Sequence, residues 1–201
     1  MHLMKILLAT KNPGKIREMN RIFSNIGVEF VGLDTLEDVP EVIEDGQTYH
    51  ENAMKKAMTF YNLASMPTLA EDSGLEVDAL KGAPGIFSAR FAGENATDKE
   101  NYEKLLALLK GMHEEERTAR FVSVLCLVVD GTPSFFEGEV RGRILEHPGG
   151  ESGFGYDPIF VPEEYDMSFA ELGADIKNRI SHRARAMKKL KDFLKEQFGK
   201  Q

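Results

Sequence analysis

Two adjacent carboxylates, Glu71 and Asp72, are the side chains of this sequence best suited to acid–base or metal chemistry. They follow a short apolar run, residues 67–70, that predicts a buried strand, and Ser73 and Gly74 come directly after them. At the carboxyl end of such a strand they would lie where open α/β sheets usually bind ligands. Because neighbouring carboxylates repel each other, they need a partner such as Mg²⁺ or a basic group. The alternative is an acidic surface turn, since turns favour Asp, Ser and Gly.

A second candidate site is the polar turn after the first predicted strand, residues 3–9. It consists of Thr10, Lys11, Asn12, Pro13, Gly14 and Lys15. Asn12 can cap a helix whose first turn holds Pro13 and which Gly27 would end. The N–H groups of a helix N-terminus, its dipole and a lysine side chain can together hold phosphate. The turn lacks the glycine spacing of a Walker loop, so an ordinary strand–helix turn is equally consistent with it.

Composition limits the classes of function. The 201 residues are 42% hydrophobic and 29% charged, as in a globular protein of one domain or two small lobes. The net charge of -8 argues against broad binding to nucleic acid or to anionic membranes. We recognise no signal peptide, membrane span, repeat or interdomain linker. The lone Cys126 excludes an internal disulfide and favours a reducing, cytoplasmic setting.

The remaining elements predict how the candidate residues are positioned. Residues 28–33 predict a second strand, giving a βαβ start with a right-handed crossover. The acidic loop 34–46 contains Glu44, which could reach a metal shared with the Glu71–Asp72 pair. Thr48 with Glu51 has the spacing of a capping box at the start of a helix, and Asp98 is a candidate cap of another. Residues 118–130 predict a strand and residues 134–145 one or two more, and their antiparallel character indicates a mixed sheet or a second lobe.

A glycine-rich loop, residues 147–158, carries two aromatic side chains, Phe154 and Tyr156. An aromatic ring held on such a loop can stack on a nucleobase. The alternative is a ring buried beneath the loop, and we expect this for one of the two.

The last informative stretch crowds basic side chains into residues 177–183 of an otherwise acidic chain. Part of this basic cluster can be solvated helix surface. Ser181 is predicted to cap the last helix. His182 is either a base contact or a capping or core histidine.

In combination these motifs resemble the inosine triphosphate pyrophosphatase family, which removes non-standard purine nucleotides. The resemblance covers the chain from Leu3 to about Leu194, and its motifs occur in the family's order. They are Ala9-Thr10-Lys11-Asn12-Pro13-Gly14-Lys15, Ala70-Glu71-Asp72-Ser73-Gly74-Leu75, Gly153-Phe154-Gly155-Tyr156-Asp157-Pro158 and Ser181-His182-Arg183. The sequence departs from the family at Glu71, where many members carry aspartate.

The resemblance implies one α/β domain over residues 1–201, with a mixed twisted sheet flanked by helices, elongated and two-lobed around a central active-site cleft. It implies a homodimer and Mg²⁺-dependent hydrolysis of ITP, dITP and XTP to the monophosphate and pyrophosphate. Asp72 would be the general base and, with Glu44 and Glu71, a metal ligand. The substrate would contact Thr10, Lys11, Asn12, Pro13, Gly14, Lys15, Ser73, Phe154, Gly155, Tyr156, Asp157, Lys177, His182 and Arg183.

The chemistry of the predicted base contacts agrees with this reading. Lys177 and Arg183 can only donate hydrogen bonds, which suits the 6-oxo group of hypoxanthine and xanthine. Adenine presents a donor there, and each buried donor left unpaired costs ~1–3 kcal/mol. GTP shares the 6-oxo group, so its exclusion must involve the 2-amino position. Two alternatives stay open: a nucleotide-binding regulator without turnover, and a metal-dependent phosphatase that releases orthophosphate.

Overall fold

The computed structural model describes residues 3–198, which form a six-stranded sheet flanked by five α-helices. The strands are β1 Met4–Leu8, β2 Val28–Val31, β3 Thr68–Val77, β4 Thr118–Val129, β5 Thr132–Ile144 and β6 Phe160–Pro162. The helices are α1 Pro13–Phe23, α2 Tyr49–Ala64, α3 Asp98–Leu108, α4 Phe169–Ile180 and α5 His182–Phe198. The predicted α/β class is therefore confirmed.

The sheet is mixed, with strand order β2-β1-β3-β4-β5-β6. Strand β1 pairs in parallel with both β2 and β3, so the predicted βαβ start is confirmed. Strands β4 and β5 are joined by Asp130-Gly131, both with positive φ, as a type I′ hairpin turn requires. Strand β6 pairs antiparallel with β5. The connections explain the mixed sheet. Helices connect the parallel strands β1, β2 and β3, whereas only antiparallel neighbours such as β4 and β5 can be joined by two residues.

Contacts divide the chain into two compact units, and the divisions fall within β3, β4, β5 and α5. Unit 1 contains the described residues up to Asp72, Val124–Glu137 and the described residues from Ala186 onward. Unit 2 contains Ser73–Ser123 and Gly138–Arg185. Each unit has an apolar core of its own. The elongated shape and the central cleft stay predictions.

In unit 1, strand β1 contributes side chains to both faces of the sheet. Ile6 and Leu8 pack with Phe23 of α1 and Leu190 of α5 in one cluster. Leu7 points the other way and packs with Leu33 and Phe60 of α2 in another cluster. This alternation is the period of two expected for a strand buried on both faces.

Two helix starts in unit 1 confirm the capping predictions. Asn12 caps α1, and Thr48 caps α2 by accepting the N–H of Glu51 at 3.1 Å. In a capping box the Glu51 carboxylate would accept the N–H of Thr48. Here it accepts the N–H of Gln47, the residue before Thr48. The predicted end of α1 at Gly27 is wrong, because the helix ends at Phe23 and a turn follows.

In unit 2, the predicted cap of α3 is wrong by one residue. Thr97 is the cap, and its hydroxyl and the Glu100 carboxylate form a reciprocal capping box. Thr97 and Glu100 have the required spacing, so the cap was readable from the sequence. Asp98 is instead the first helical residue. The predicted cap of α5 is confirmed, since Ser181 Oγ accepts the N–H of Ala184 at 3.2 Å.

None of the helices among residues 3–198 combines the length and apolar character needed to cross a membrane. Cys126 is a free thiol buried in the middle of β4, as its apolar surroundings in the sequence indicate. Burial raises the pKa of its thiol to about 12, because the thiolate would lose its hydration.

The buried Arg117 links the start of β4 to the end of β5 in unit 2. Its side chain is 3% exposed and donates to the carbonyls of Leu109, Ile144 and Leu145 at 2.8, 2.8 and 2.5 Å. Burial lowers the pKa of its guanidinium, and the charge of Glu146 partly offsets this. The Leu109 carbonyl also accepts the N–H of Met112 at 3.1 Å, so the Ile144 and Leu145 carbonyls depend most on this side chain.

Replacing Arg117 by Ala should therefore destabilise the protein strongly. The Ile144 and Leu145 carbonyls would lose the donor, at ~1–3 kcal/mol each, so the free energy of unfolding should fall by ~2–6 kcal/mol in urea titrations. The matched control is Arg141→Ala, whose exposed side chain lies 3.4 Å from Glu139 and should contribute less than ~1 kcal/mol. Equal losses in the two variants would contradict this role of Arg117.

Candidate active site

The predicted phosphate-binding turn in unit 1 is held by its own polar side chains. Thr10 Oγ1 accepts the N–H of Asn12 at 3.1 Å. Asn12 Oδ1 accepts the N–H groups of Gly14 at 2.8 Å and Lys15 at 3.4 Å. The Asn12 carbonyl accepts the N–H of Ile16 at 3.3 Å. The first N–H groups of α1 are thus bonded within the turn.

This changes how the turn would hold an anion. The prediction relied on helix N–H groups facing the phosphate, but three of them already have acceptors in Asn12. The whole segment from Lys11 to Lys15 is exposed. The positive charges of Lys11 and Lys15 and the helix dipole remain as the attraction for phosphate. Binding to N–H groups would require the Asn12 side chain to move.

The acid pair does not lie at the end of a strand, and that prediction is wrong. Strand β3 continues without a break from Thr68 to Val77, with Glu71 and Asp72 in its middle. Its parallel neighbour β1 ends much earlier, at the pairing of Leu8 with Leu69. The last contact is the N–H of Ala9 donating to Leu69 O at 2.9 Å. Glu71 and Asp72 therefore lie in the part of β3 that extends past the carboxyl end of its neighbour β1.

Asp72 is held by a buried asparagine of α2. Its side chain is buried, with 9% exposure, and its Oδ2 accepts from Asn52 Nδ2 at 3.1 Å. Asn52 is 1% exposed, and its own Oδ1 accepts the N–H of Gly46 at 2.8 Å. One amide side chain thus fixes both the carboxylate and the end of the acidic loop. A carboxylate fixed in this way is oriented before any ligand arrives.

Lys56, one turn after Asn52 on α2, connects the other two predicted metal ligands. Its Nζ lies 2.5 Å from Glu44 Oε1 and donates to the backbone carbonyl of Glu71 at 2.9 Å. The side chains of Lys56 and Glu44 are 17% and 32% exposed, so this ion pair is mostly shielded from water. Glu44, the Glu71 backbone and Asp72 are thereby attached to one face of α2. Lys56 thus places a positive charge next to the backbone of the acid pair, while its ion pair is with Glu44.

The donor set fits Mg²⁺ chemically, although it does not form a cage. Among residues 3–198, no three His, Cys, Asp or Glu side chains are grouped so that they could hold a metal ion. Mg²⁺ does not need such a group, since it keeps several waters and is usually bound by one or two carboxylates plus substrate phosphates. Glu44, Glu71 and Asp72 supply only oxygen ligands, the class that Mg²⁺ prefers. Their role as metal ligands stays a prediction.

In unit 2, the glycine-rich loop buries one of its aromatic rings and exposes the other. Tyr156 is 4% exposed, and its hydroxyl donates to the carbonyl of Ser88 at 2.8 Å. Burial, with the negative charge of Asp98, raises the pKa of that hydroxyl above its usual range. Phe154 is 57% exposed. As expected, one ring is buried beneath the loop and the other is exposed. Phe154 is therefore the ring that is available for stacking.

Two cationic side chains lie over the exposed ring. Lys177 Nζ is 3.9 Å from the centroid of Phe154, and Arg183 Cζ is 5.6 Å from it. Asp157 Oδ2 lies 2.5 Å from Lys177 Nζ and also accepts the N–H of Phe154 at 3.0 Å. Asp157 is 2% exposed and the Lys177 side chain 13%. Four predicted site residues therefore form one connected cluster in unit 2.

His182 and Ser73 are placed differently. His182 is 6% exposed, and its ring stacks on Phe121 at 4.8 Å with an interplanar angle of 10°. Its ring therefore belongs to the core of unit 2, the alternative that the sequence left open beside a base contact. Ser73 is half-buried in β3, directly after Asp72. The substrate contacts assigned to both residues stay predictions.

Sequence analysis missed three residues that organise these groups: Asn52, Lys56 and Asp98. Asn52 and Lys56 are four residues apart on α2, so they share a helix face. A polar pair on the apolar side of a helix indicates that the pair has buried hydrogen-bond partners. The sequence does not identify these partners, Glu71 and Asp72, because they lie 15 and 20 residues away. Asp98 was assigned to a helix cap, whereas its Oδ2 accepts the N–H of Gly155 at 2.7 Å.

Comparison with known proteins gives a consistent result over almost the whole chain. The model of the Ham1 family matches residues 6–193. A Vibrio parahaemolyticus protein named dITP/XTP pyrophosphatase is 51% identical over 92% of this chain and 94% of its own length. A Geobacter sulfurreducens protein of the same name is 47% identical over 94% and 96%. The solved structure of a HAM1 protein from Coxiella burnetii matches with a TM-score of 0.91 and 38% identity, over 96% of this chain and 99% of that one.

Proposed function

The chain belongs to the Ham1 family, and we propose that it hydrolyses dITP, ITP and XTP to the nucleoside monophosphate and pyrophosphate. The names of the similar proteins, dITP/XTP pyrophosphatase, support the reaction and the substrate class. The observation that carries the proposal is the cluster around Phe154. An exposed aromatic ring with two cations near it suits a flat base with acceptor groups at its edge.

The base is proposed to stack on Phe154 and to accept hydrogen bonds from Lys177 and Arg183. Both side chains are donors only, so they match the 6-oxo group of hypoxanthine and xanthine. Adenine would present a donor to a donor. Asp157 contributes to this arrangement, because its ion pair holds the ammonium of Lys177 over the Phe154 ring.

The triphosphate is proposed to interact with the turn Thr10–Lys15, where Lys11 and Lys15 supply positive charge. Water attacks the α-phosphorus, a new P–O bond forms, and the bond between the α-phosphorus and the bridging oxygen to the β-phosphate breaks. Asp72, oriented by Asn52, accepts the proton of the attacking water. Pyrophosphate leaves as an anion whose charge the lysines balance.

Mg²⁺ is the proposed cofactor, with Glu44, Glu71 and Asp72 as its candidate ligands. When bound, it would neutralise phosphate oxygens and help to orient the attacking water. Lys56 holds Glu44 at 2.5 Å in the described state, so the metal and Lys56 compete for that carboxylate. Asp72 accepts a hydrogen bond from the neutral amide of Asn52.

Product analysis distinguishes this proposal from the two alternatives. The protein is incubated with ITP and Mg²⁺, and the products are identified by chromatography and phosphate assays. IMP with pyrophosphate is expected, and the reaction should stop when EDTA removes the metal. IDP with orthophosphate would indicate a phosphatase instead. Unchanged ITP that nevertheless binds would indicate a regulator.

Asp72→Asn should abolish most of the turnover while leaving the fold intact. The amide keeps the shape and can still bond to Asn52, but it cannot accept the proton of water. Loss of a general base costs about 10²–10⁴ in rate, and a metal role would add to this. The matched control is Glu76→Gln on the same strand, whose carboxylate is bonded to Arg120 at 2.8 Å. Near-normal turnover by Asp72→Asn would refute the assignment.

Variants of the base cluster should separate stacking from edge recognition. Phe154→Ala should lower kcat/KM for ITP, XTP and ATP by similar factors, because stacking, at ~1–3 kcal/mol, does not depend on the base. Arg183→Ala should lower kcat/KM mainly for ITP and XTP, because only these present an acceptor. Inhibition by tripolyphosphate should hardly change in either variant. A weaker inhibition with Arg183→Ala would make that residue a phosphate ligand.

We also propose that the protein acts as a homodimer in the cytoplasm. Family membership supports the dimer, and the single, buried Cys126 fits a reducing compartment. Sedimentation at micromolar concentration should show a species of twice the chain mass of 22.5 kDa. A species of the single-chain mass at every concentration would refute the dimer.

A further inference from the structure

Asp98 makes a contact that its position in α3 does not require. As the first residue of the helix it has no capping duty, because Thr97 and Glu100 already satisfy each other in the capping box. Its Oδ2 instead accepts the N–H of Gly155 at 2.7 Å, across 57 positions of sequence. A charged acceptor at this distance makes a stronger hydrogen bond than a neutral one.

Gly155 is the residue directly after the exposed ring of Phe154. The N–H of Phe154 itself is bonded to Asp157. Two successive N–H groups of the loop are therefore held by two different carboxylates, one from within the loop and one from α3. Gly155 has φ of 61°, in the left-handed region, so the chain reverses here and presents its N–H to α3. With 57% of Phe154 exposed, backbone hydrogen bonds are well placed to fix the direction of the ring.

The position of α3 beside the loop is fixed independently of Asp98. Asn101, one turn later and 2% exposed, donates to Ala89 O at 3.1 Å and accepts the N–H of Ala92 at 2.7 Å. The same segment holds the loop, because the Tyr156 hydroxyl donates to Ser88 O. Helix and loop are thus both tied to residues 88–92. Removing the Asp98 carboxylate should release the Gly155 N–H without moving the helix.

We infer that Asp98 is a positioning residue, which fixes the Phe154 ring in the orientation needed to stack on a purine. This rests on the proposed function, in which Phe154 is the stacking partner of the base. Because stacking does not read the identity of the base, Asp98 contributes to affinity for every purine nucleotide alike. It acts through the loop and touches neither the phosphates nor the attacking water.

The kinetic consequence is a change in KM without a comparable change in kcat. Loss of base binding that is equal in the ground and transition states raises KM alone. Asp98→Ala should raise KM for ITP and for XTP by the same factor, about tenfold for one charge-assisted hydrogen bond. Asp98→Asn keeps an acceptor oxygen and should recover most of the affinity. A merely stabilising role would give no such rescue pattern in KM.

The absence of tryptophan from the sequence allows a direct test of the ring orientation. Phe154→Trp introduces a single tryptophan at the stacking position. The time-resolved anisotropy of its fluorescence reports the local mobility of the ring. Adding Asp98→Ala to this reporter should increase that mobility in the protein without nucleotide. Adding Lys99→Ala should not, because Lys99 is exposed on the same helix and pairs only with the nearby Glu103 among the contacts described, at 3.7 Å.

The outcomes separate this inference from the proposed function. Higher mobility together with a raised KM and unchanged kcat supports the positioning role. Unchanged mobility and KM in Asp98→Ala, or a loss confined to kcat, overturns it. If the parent protein neither binds nor hydrolyses ITP, the proposed function fails, and the mobility comparison alone still decides whether Asp98 orients the ring.

Discussion

The difference in length between β3 and its parallel neighbour β1 is the constraint on which the acid site depends. Strand β1 stops pairing at Leu69, whereas β3 continues for eight more residues to Val77. Glu71 and Asp72 lie just beyond that point, on a strand most of whose residues are buried. A buried carboxylate loses hydration and must be compensated by protein groups. Asn52 of α2 donates to the Asp72 carboxylate and Lys56 to the Glu71 carbonyl, so the position of α2 and the acid pair of β3 depend on each other.

The second cluster is organised by another buried carboxylate, that of Asp157. It receives both the Phe154 N–H and the Lys177 ammonium, and almost no water reaches it. Gly153 makes this possible, because a Cβ there would collide with the Asp157 carboxylate, and its φ of 87° is in the left-handed region. The glycines of this loop thus allow a charged side chain to approach the backbone closely. The result is an aromatic ring held outward at the protein surface by polar contacts.

The sequence predicts local features well and long-range partners poorly. The caps at Asn12, Thr48 and Ser181 depend on spacing within a few residues, and they are confirmed, as is the βαβ start. The end of the strand at the acid pair is wrong, because polar residues were taken as a boundary. Hydrophobic alternation cannot show that two side chains of α2, 15 to 20 residues away, will donate to the Asp72 carboxylate and the Glu71 carbonyl. These side chains are Asn52 and Lys56. Likewise, nothing local distinguishes the buried Tyr156 from the exposed Phe154, since what decides is the distant carbonyl of Ser88.

The same long-range contacts bear on how the base cluster could discriminate between purines. A lysine free to rotate would swing away from the amino group of adenine and lose little free energy. Lys177 is not free in this way, because its ammonium lies between the Asp157 carboxylate and the face of Phe154, with 13% of its side chain exposed. Moving it would break a buried ion pair, and such a break costs several kcal/mol when one charge is left unpaired. In the proposed binding mode, the donor would therefore be presented to any base at a nearly fixed position. Discrimination against adenine would then follow from the rigidity of this cluster, since a mismatch that cannot relax keeps its full cost.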